Sequence, residues 1–173
     1  MTQIQLTSGD ILTMCGDALV CPAHKHLIRG RGLSAQIYAQ CGTRLTPQCA
    51  NQRACPVGEA RLTRAYDLPV DYLLHTVTPQ WSSGDQWGSQ AIVLLRHCYE
   101  SVLELAIERG CKTILFPALG AGTNRFPHEI AAHQGLAVLR AYASRFERLT
   151  VCLHSQTALA QWQKVEQRFY GHN

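Results

Sequence analysis

What most constrains this chain is a repeated alternation of short strand-like runs with segments of helical period. Ala18-Leu19-Val20-Cys21 is a continuous apolar run, as expected of a strand covered on both faces. Thr113-Ile114-Leu115-Phe116 and Leu149-Thr150-Val151-Cys152-Leu153 read the same way, and Tyr72 to Val77 is a strong strand. Ile4-Gln5-Leu6-Thr7 alternates apolar and polar residues, which suits an edge or half-buried strand, and Ala60 to Thr63 is a further strand. Between them, Ser89 to Arg109 places Ile92, Leu95, Tyr99, Val102, Leu103 and Ala106 on one helical face, with Gly110 as the C-terminal cap. His128 to Tyr142 and Thr157 to Phe169 are helices, and Ser34 to Gln40 is a short helix with Ser34 at its N-cap. Thr43 to Pro56 is polar without a dominant period, and Pro79 to Gly88 is a loop holding two tryptophans. Strands separated by crossover helices predict an α/β protein, a three-layer α/β/α sandwich around a largely parallel sheet. In such folds ligands sit at the carboxyl ends of the strands.

At 173 residues the chain fits one domain, 1–173, and is long enough to bury about 70 % of its unfolded surface. With 46 % hydrophobic and 16 % charged residues it has the composition of a folded domain. No apolar run approaches the ~20 residues of a membrane helix, and the N-terminus lacks a basic stretch followed by an apolar one, so a cytoplasmic protein with no membrane partner is expected. The eight cysteines contain no Cys-x-x-Cys pair and several lie in apolar runs, which points to reduced core thiols rather than disulfides or a metal site. The net charge of +4 suits an anionic ligand. The sixteen Lys and Arg are scattered, however, without the basic stripe of a nucleic-acid-binding face.

Two glycine-rich loops follow strands and precede helices: Arg29-Gly30-Arg31-Gly32-Leu33-Ser34 and Leu119-Gly120-Ala121-Gly122-Thr123-Asn124-Arg125-Phe126. Glycine allows positive φ and close backbone approach, so free N–H groups can point at an anion near a helix N-terminus. Neither loop fits the Walker pattern or the spaced dinucleotide fingerprint. The pair favours a diphosphate ligand.

Gly9-Asp10-Ile11-Leu12, Asp17-Ala18-Leu19-Val20 and Gly30-Arg31-Gly32-Leu33 resemble the opening of a macrodomain. Val57-Gly58-Glu59-Ala60, Leu74 to Trp81, Cys98-Tyr99 and Phe116-Pro117-Ala118-Leu119-Gly120 continue the resemblance in family order, over about residues 4 to 165. The resemblance implies a central six-stranded mixed sheet with ADP-ribose lying across the strand ends, and no cofactor. By position, Asp10 would accept from the adenine amino group and Ile11 would touch the base. Gly120, Ala121, Gly122, Thr123, Asn124 and Arg125 would wrap the diphosphate, and Phe126 would face the distal ribose. Gly30, Arg31, Gly32 and Leu33 would form the opposite wall, while His154 or Leu153 falls where the family often stacks an aromatic on adenine.

The chain also departs from the family. The family's Asn-Ala-Ala-Asn reads Cys21-Pro22-Ala23-His24, so His24 replaces the asparagine that holds the distal ribose in hydrolytic members. The acidic residue those members often carry falls on or near Ser34, and no Asp or Glu occurs between Asp17 and Glu59. Arg31 replaces a loop glycine, and Asn124 and Arg125 replace an aromatic and a glycine. His24 is the candidate catalytic residue, as a base on water or a donor to a ribose hydroxyl. Arg31 and Arg125, if both point inward, would favour an extra phosphate or carboxylate on the ligand. The expected function is binding of ADP-ribose or ADP-ribosylated molecules. The alternatives are removal of ADP-ribose from a carboxylate, deacetylation of O-acetyl-ADP-ribose, phosphatase action on ADP-ribose 1″-phosphate, or a scaffold that binds no nucleotide.

Overall fold

The computed structural model describes residues 4–81 and 88–171. The second loop tryptophan, Trp87, lies outside the described residues. Six strands form one sheet: β1 Ile4–Ser8, β2 Gly16–Pro22, β3 Ala60–Arg64, β4 Val70–Thr76, β5 Thr113–Phe116 and β6 Arg148–Leu153. Their order is β1-β6-β5-β2-β4-β3, with every pairing parallel except the antiparallel β3–β4 pair. The mixed, largely parallel sheet is the expected one, and β1 occupies an edge as its alternating pattern suggested.

Two helical layers cover the sheet. On one face lie α1 Leu33–Cys41 and α2 Leu45–Ala50; on the other lie α3 Gly88–Arg109, α4 His128–Tyr142 and α5 Gln156–Tyr170. β2 serves both: Ala18 and Val20 pack with α3–α5, while Leu19 and Cys21 pack with α1 and α2. This is why the run carries no polar residue, since each side chain enters one core or the other. Gly110 ends α3 with φ of +79° and the Cys111 N–H donates to the Ala106 carbonyl, the expected capping arrangement. Ser155 caps α5 by accepting from the Ala158 N–H at 3.1 Å.

Ser34 is not an N-cap. It lies inside the first turn of α1, its N-cap is Gly32 with φ of +57°, and no side chain caps that helix. The Ser34 hydroxyl turns back to accept from the Gly30 N–H at 3.1 Å, tying the loop to the helix that follows it. The unassigned stretch from Thr43 to Pro56 contains α2, held by buried Leu45 and Cys49. Seven of the eight cysteines are buried and all are free, as reduced core residues should be. His75 is the hydrogen-bonded core histidine expected within a strand. Its Nε2 lies 2.8 Å from Thr63 Oγ1, and burial pushes its pKa down to about 4, so it stays neutral. Among the described residues, no helix is long and apolar enough to cross a membrane.

Candidate functional site

A cavity of about 530 Å³ opens at the carboxyl ends of the central strands. Each strand delivers its own part of the lining. His154 follows β6; Pro117, Ala118 and Gly120 to Asn124 follow β5; Pro22, Ala23 and His24 follow β2; Thr78 follows β4. Gly30 to Ser34, entering α1, close one side, and His128, the first residue of α4, closes another. The sheet therefore spreads the lining into an ordered row. Asp10 extends it, being exposed just beyond β1, whose Ser8 is in register with Leu153 of β6.

The second glycine loop is held from below. Asn124 Nδ2 donates to the Thr78 carbonyl at 3.0 Å and to Thr78 Oγ1 at 2.5 Å, and the Asn124 carbonyl accepts from the Trp81 N–H at 2.8 Å. These bonds tie the loop after β5 to the segment after β4. The Gly122, Thr123 and Asn124 N–H groups meet no acceptor among the described residues, and all three residues line the cavity. Gly120 carries φ of +86°, and a Cβ there would stand 2.9 Å from Phe126 Cδ1 and 3.2 Å from Leu95 Cδ1. Its conformation is one that glycine adopts without penalty. Gly122 has no such constraint: φ is not positive and no heavy atom lies within 4 Å of the position of a Cβ. Of the two loop glycines, Gly120 therefore carries the backbone demand and Gly122 does not.

Phe126, Arg125 and Ile11 are not among the residues that line the cavity. Phe126 does not line the cavity; it is 2 % exposed and packs against Trp81 at 5.2 Å between ring centroids, because the Phe126 N–H donates to the Gly120 carbonyl and folds the ring under the loop. Arg125 is exposed, carries φ of +68°, and does not line the cavity either. That left-handed φ accounts for the glycine the family has here, and this chain forces an arginine into it. Ile11 is largely buried, in a short 3₁₀ turn over Ile11–Thr13, and packs into the core under α1. Asp10 begins that turn, with Oδ1 accepting from the Leu12 N–H at 3.0 Å, which leaves Oδ2 available to a ligand.

The histidines take defined tautomers. His24 Nδ1 accepts from the His26 backbone N–H at 3.0 Å, so in the neutral ring the proton sits on Nε2. A general base needs a free lone pair facing the ligand; this His24 instead offers a hydrogen-bond donor. At the other end, His128 Nδ1 accepts from Trp162 Nε1–H at 3.1 Å, and the His128 and His154 rings stack with centroids 5.7 Å apart. Burial, and after it the neighbouring His154, push the His128 imidazole below its ordinary range, so a neutral ring with Nε2–H is favoured there. Sequence reasoning missed His128 and Thr78; the available signal was their position directly after Pro127 and two residues beyond β4. Cys21 ends the buried part of β2, and burial followed by Cys49 and Cys41 raises its thiol, which makes it a packing residue rather than a nucleophile. Among the described residues, no Asp or Glu lines the cavity.

A parallel-rich α/β/α sandwich with paired glycine loops over its strand ends, and no carboxylate between them among the described residues, defines a receptor for an anionic nucleotide-like ligand. Residues 20–134 match the family model of the Macro domain, and the chain belongs to this family. It is 40 % identical over 136 residues to a Macro domain-containing protein of Methanosarcina mazei, covering 79 % of this chain and 70 % of that protein. It is 36 % identical over 155 residues to the mouse ADP-ribose glycohydrolase MACROD1, covering 87 % of this chain and 47 % of that longer protein. The crystal structure of a Trypanosoma brucei macrodomain in complex with ADP-ribose superposes with a TM-score of 0.84 at 28 % identity, covering 94 % of this chain and 68 % of that one.

Proposed function

We propose that this chain binds ADP-ribose, free or as a modification of another molecule, along the row of strand ends. The observation that carries the reading is the order of the lining. An anion-binding loop with free N–H groups follows β5, near the centre of the row. Asp10, His154 and His128 lie on its β1/β6 side, and His24, Arg31 and Thr78 on its β2/β4 side. An elongated ligand with a central diphosphate fits that order, with the base toward Asp10 and the distal ribose toward His24. The Trypanosoma brucei macrodomain that binds ADP-ribose has the same fold, which supports the assignment.

Hydrolysis of an ADP-ribosyl bond is the second reading, and the likeness to the mouse ADP-ribose glycohydrolase favours it. The cavity argues for slow turnover by that route, because His24 presents Nε2–H and no carboxylate among the described residues lines it to position water.

Calorimetry with ADP-ribose tests the binding reading. Asp10→Asn keeps the cap on the Leu12 N–H while turning an amide donor toward the adenine amino group. Affinity should fall by about 1–3 kcal/mol, the cost of facing two donors, with the melting temperature unchanged. Equal affinity in parent and variant would show that Asp10 is a turn residue alone.

A further inference from the structure

We propose that Tyr38, which does not line the cavity, is a positioning residue whose hydroxyl holds the His24–Leu27 turn in the form that aims His24 into the cleft. The inference rests on ADP-ribose occupying that cleft with its distal ribose toward His24, and names the group that sets the His24 ring. No bond is made or broken in it.

The turn begins just past the end of β2 and closes with the Leu27 N–H donating to the His24 carbonyl at 2.8 Å. Inside it the His26 N–H donates to His24 Nδ1 at 3.0 Å, so the direction of the ring follows the conformation of the turn. Leu27 ends the turn with φ of +55°, a left-handed conformation that residues with a side chain rarely adopt. The residue is 2 % exposed and packs in the core on the α1 and α2 face, so its carbonyl is shielded from water.

Two bonds from outside pin this turn. The Cys55 N–H donates to the Lys25 carbonyl at 2.7 Å, and the Tyr38 hydroxyl donates to the Leu27 carbonyl at 2.5 Å. Tyr38 is buried, its one proton goes to Leu27, and Cys49 Sγ lies 3.4 Å away against the remaining lone pairs. Burial, and after it Cys49, push the phenol up, so the hydroxyl stays a donor. Tyr38 belongs to α1, whose entry from Gly30 to Ser34 forms a wall of the cavity, so one side chain ties the His24 turn to the helix behind that wall. Without the hydroxyl, the Leu27 carbonyl would have no donor among the described residues. Rotating that peptide toward water would both hydrate the carbonyl and release the left-handed φ. The form with His24 aimed at the cleft would then be only fractionally populated, and affinity falls by that fraction.

The test compares the parent with Tyr38→Phe, which keeps the buried ring and removes the hydroxyl, with His24→Ala, and with the double variant. Calorimetry with ADP-ribose should show a loss of about fivefold in Tyr38→Phe, the share of one hydrogen bond in the turn equilibrium. Affinity for ADP, which lacks the distal ribose, should stay within about twofold. His24→Ala should also weaken ADP-ribose, and adding Tyr38→Phe to it should cost less than about twofold more, because Tyr38 acts through His24. Ring-nitrogen NMR near pH 8.5, about two units above the ordinary imidazole value, should find His24 as the Nε2–H tautomer in the parent and averaged between tautomers in Tyr38→Phe. Amide exchange on the parent alone should find the Leu27 N–H protected. Unchanged ring nitrogens in Tyr38→Phe, an equal loss for ADP and ADP-ribose, additive losses in the double variant, or rapid exchange at Leu27 in the parent would each overturn the role of Tyr38. Failure of the parent to bind ADP-ribose would instead overturn the cleft assignment, while the ring nitrogens and the exchange rates would still decide whether Tyr38 sets His24.

Discussion

The two glycine loops face each other across one cavity, yet they are held in different ways. The loop after β5 is built into the core: Asn124 bonds Thr78, Phe126 packs beneath Gly120 against Trp81, and a side chain at Gly120 would press on Phe126. The loop before α1 is tied by the Ser34–Gly30 bond, and Gly30, Arg31 and Gly32 are exposed. Gly32 has positive φ but open space around it. The fixed loop presents backbone N–H groups, whose geometry must be set by the fold. The open loop presents a side chain, Arg31, which can be exchanged without disturbing the sheet. A chain can therefore alter what it recognises at the β2/β4 end while keeping its grip on the diphosphate, and the departures from the family at His24 and Arg31 fall at that end.

The largest effect should come from Gly122→Glu. The position has room for a side chain in the free protein, and the carboxylate would enter the space of the diphosphate. ADP-ribose affinity should drop by at least about a hundredfold, since like charge meets like in a partly enclosed site, with the melting temperature within ~2 °C of the parent. A matching loss of stability would show that Gly122 is structural and that the fixed loop has a second backbone constraint.

Gly120→Ala should do the reverse. The new methyl group would press on Phe126 and Leu95 in a left-handed backbone, and denaturant titration should register a loss of about 2–3 kcal/mol. Unchanged stability would mean that Phe126 yields freely, and the contrast between a fixed and an open loop would collapse.

Much of this was legible in the residues because apolar periodicity reports burial directly. β2 reads as doubly covered because it is, and Gly110 reads as a helix end because the chain there requires positive φ. The sites of difficulty share a cause. Ser34 has the side chain of an N-cap, but Gly32 takes that position and Ser34, bonded back to Gly30, lies two residues further in. Phe126 lies in a ligand-facing loop by position, and only the bond from its N–H to Gly120 reveals that the ring folds underneath. The tautomer of His24 depends on one backbone N–H two residues away, which no spacing rule encodes. Positions along the cavity were readable; the directions of individual side chains were settled by hydrogen bonds.

The smallest effect sharpens the comparison from the strained side. Arg125 holds φ of +68° in the fixed loop, a conformation that costs a side-chain-bearing residue roughly 1–2 kcal/mol. It sits there because its N–H donates to the Gly122 carbonyl at 3.0 Å and the next N–H, of Phe126, donates to Gly120, so the chain must turn sharply at this residue. Arg125 has no ion pair among the described residues and does not line the cavity, so its side chain brings no evident compensation. Arg125→Gly should relieve the strain while giving back some of it through a more flexible unfolded chain. The net gain should be about 0.5–1 kcal/mol, read as a rise of roughly 1–3 °C in thermal unfolding. ADP-ribose affinity should stay within about twofold, because the free N–H groups belong to residues 122–124. A fall in melting temperature would show that the guanidinium anchors the loop. A large fall in affinity at constant stability would place it on the ligand, and recognition at the β2/β4 end would then belong to both loops rather than to the open one.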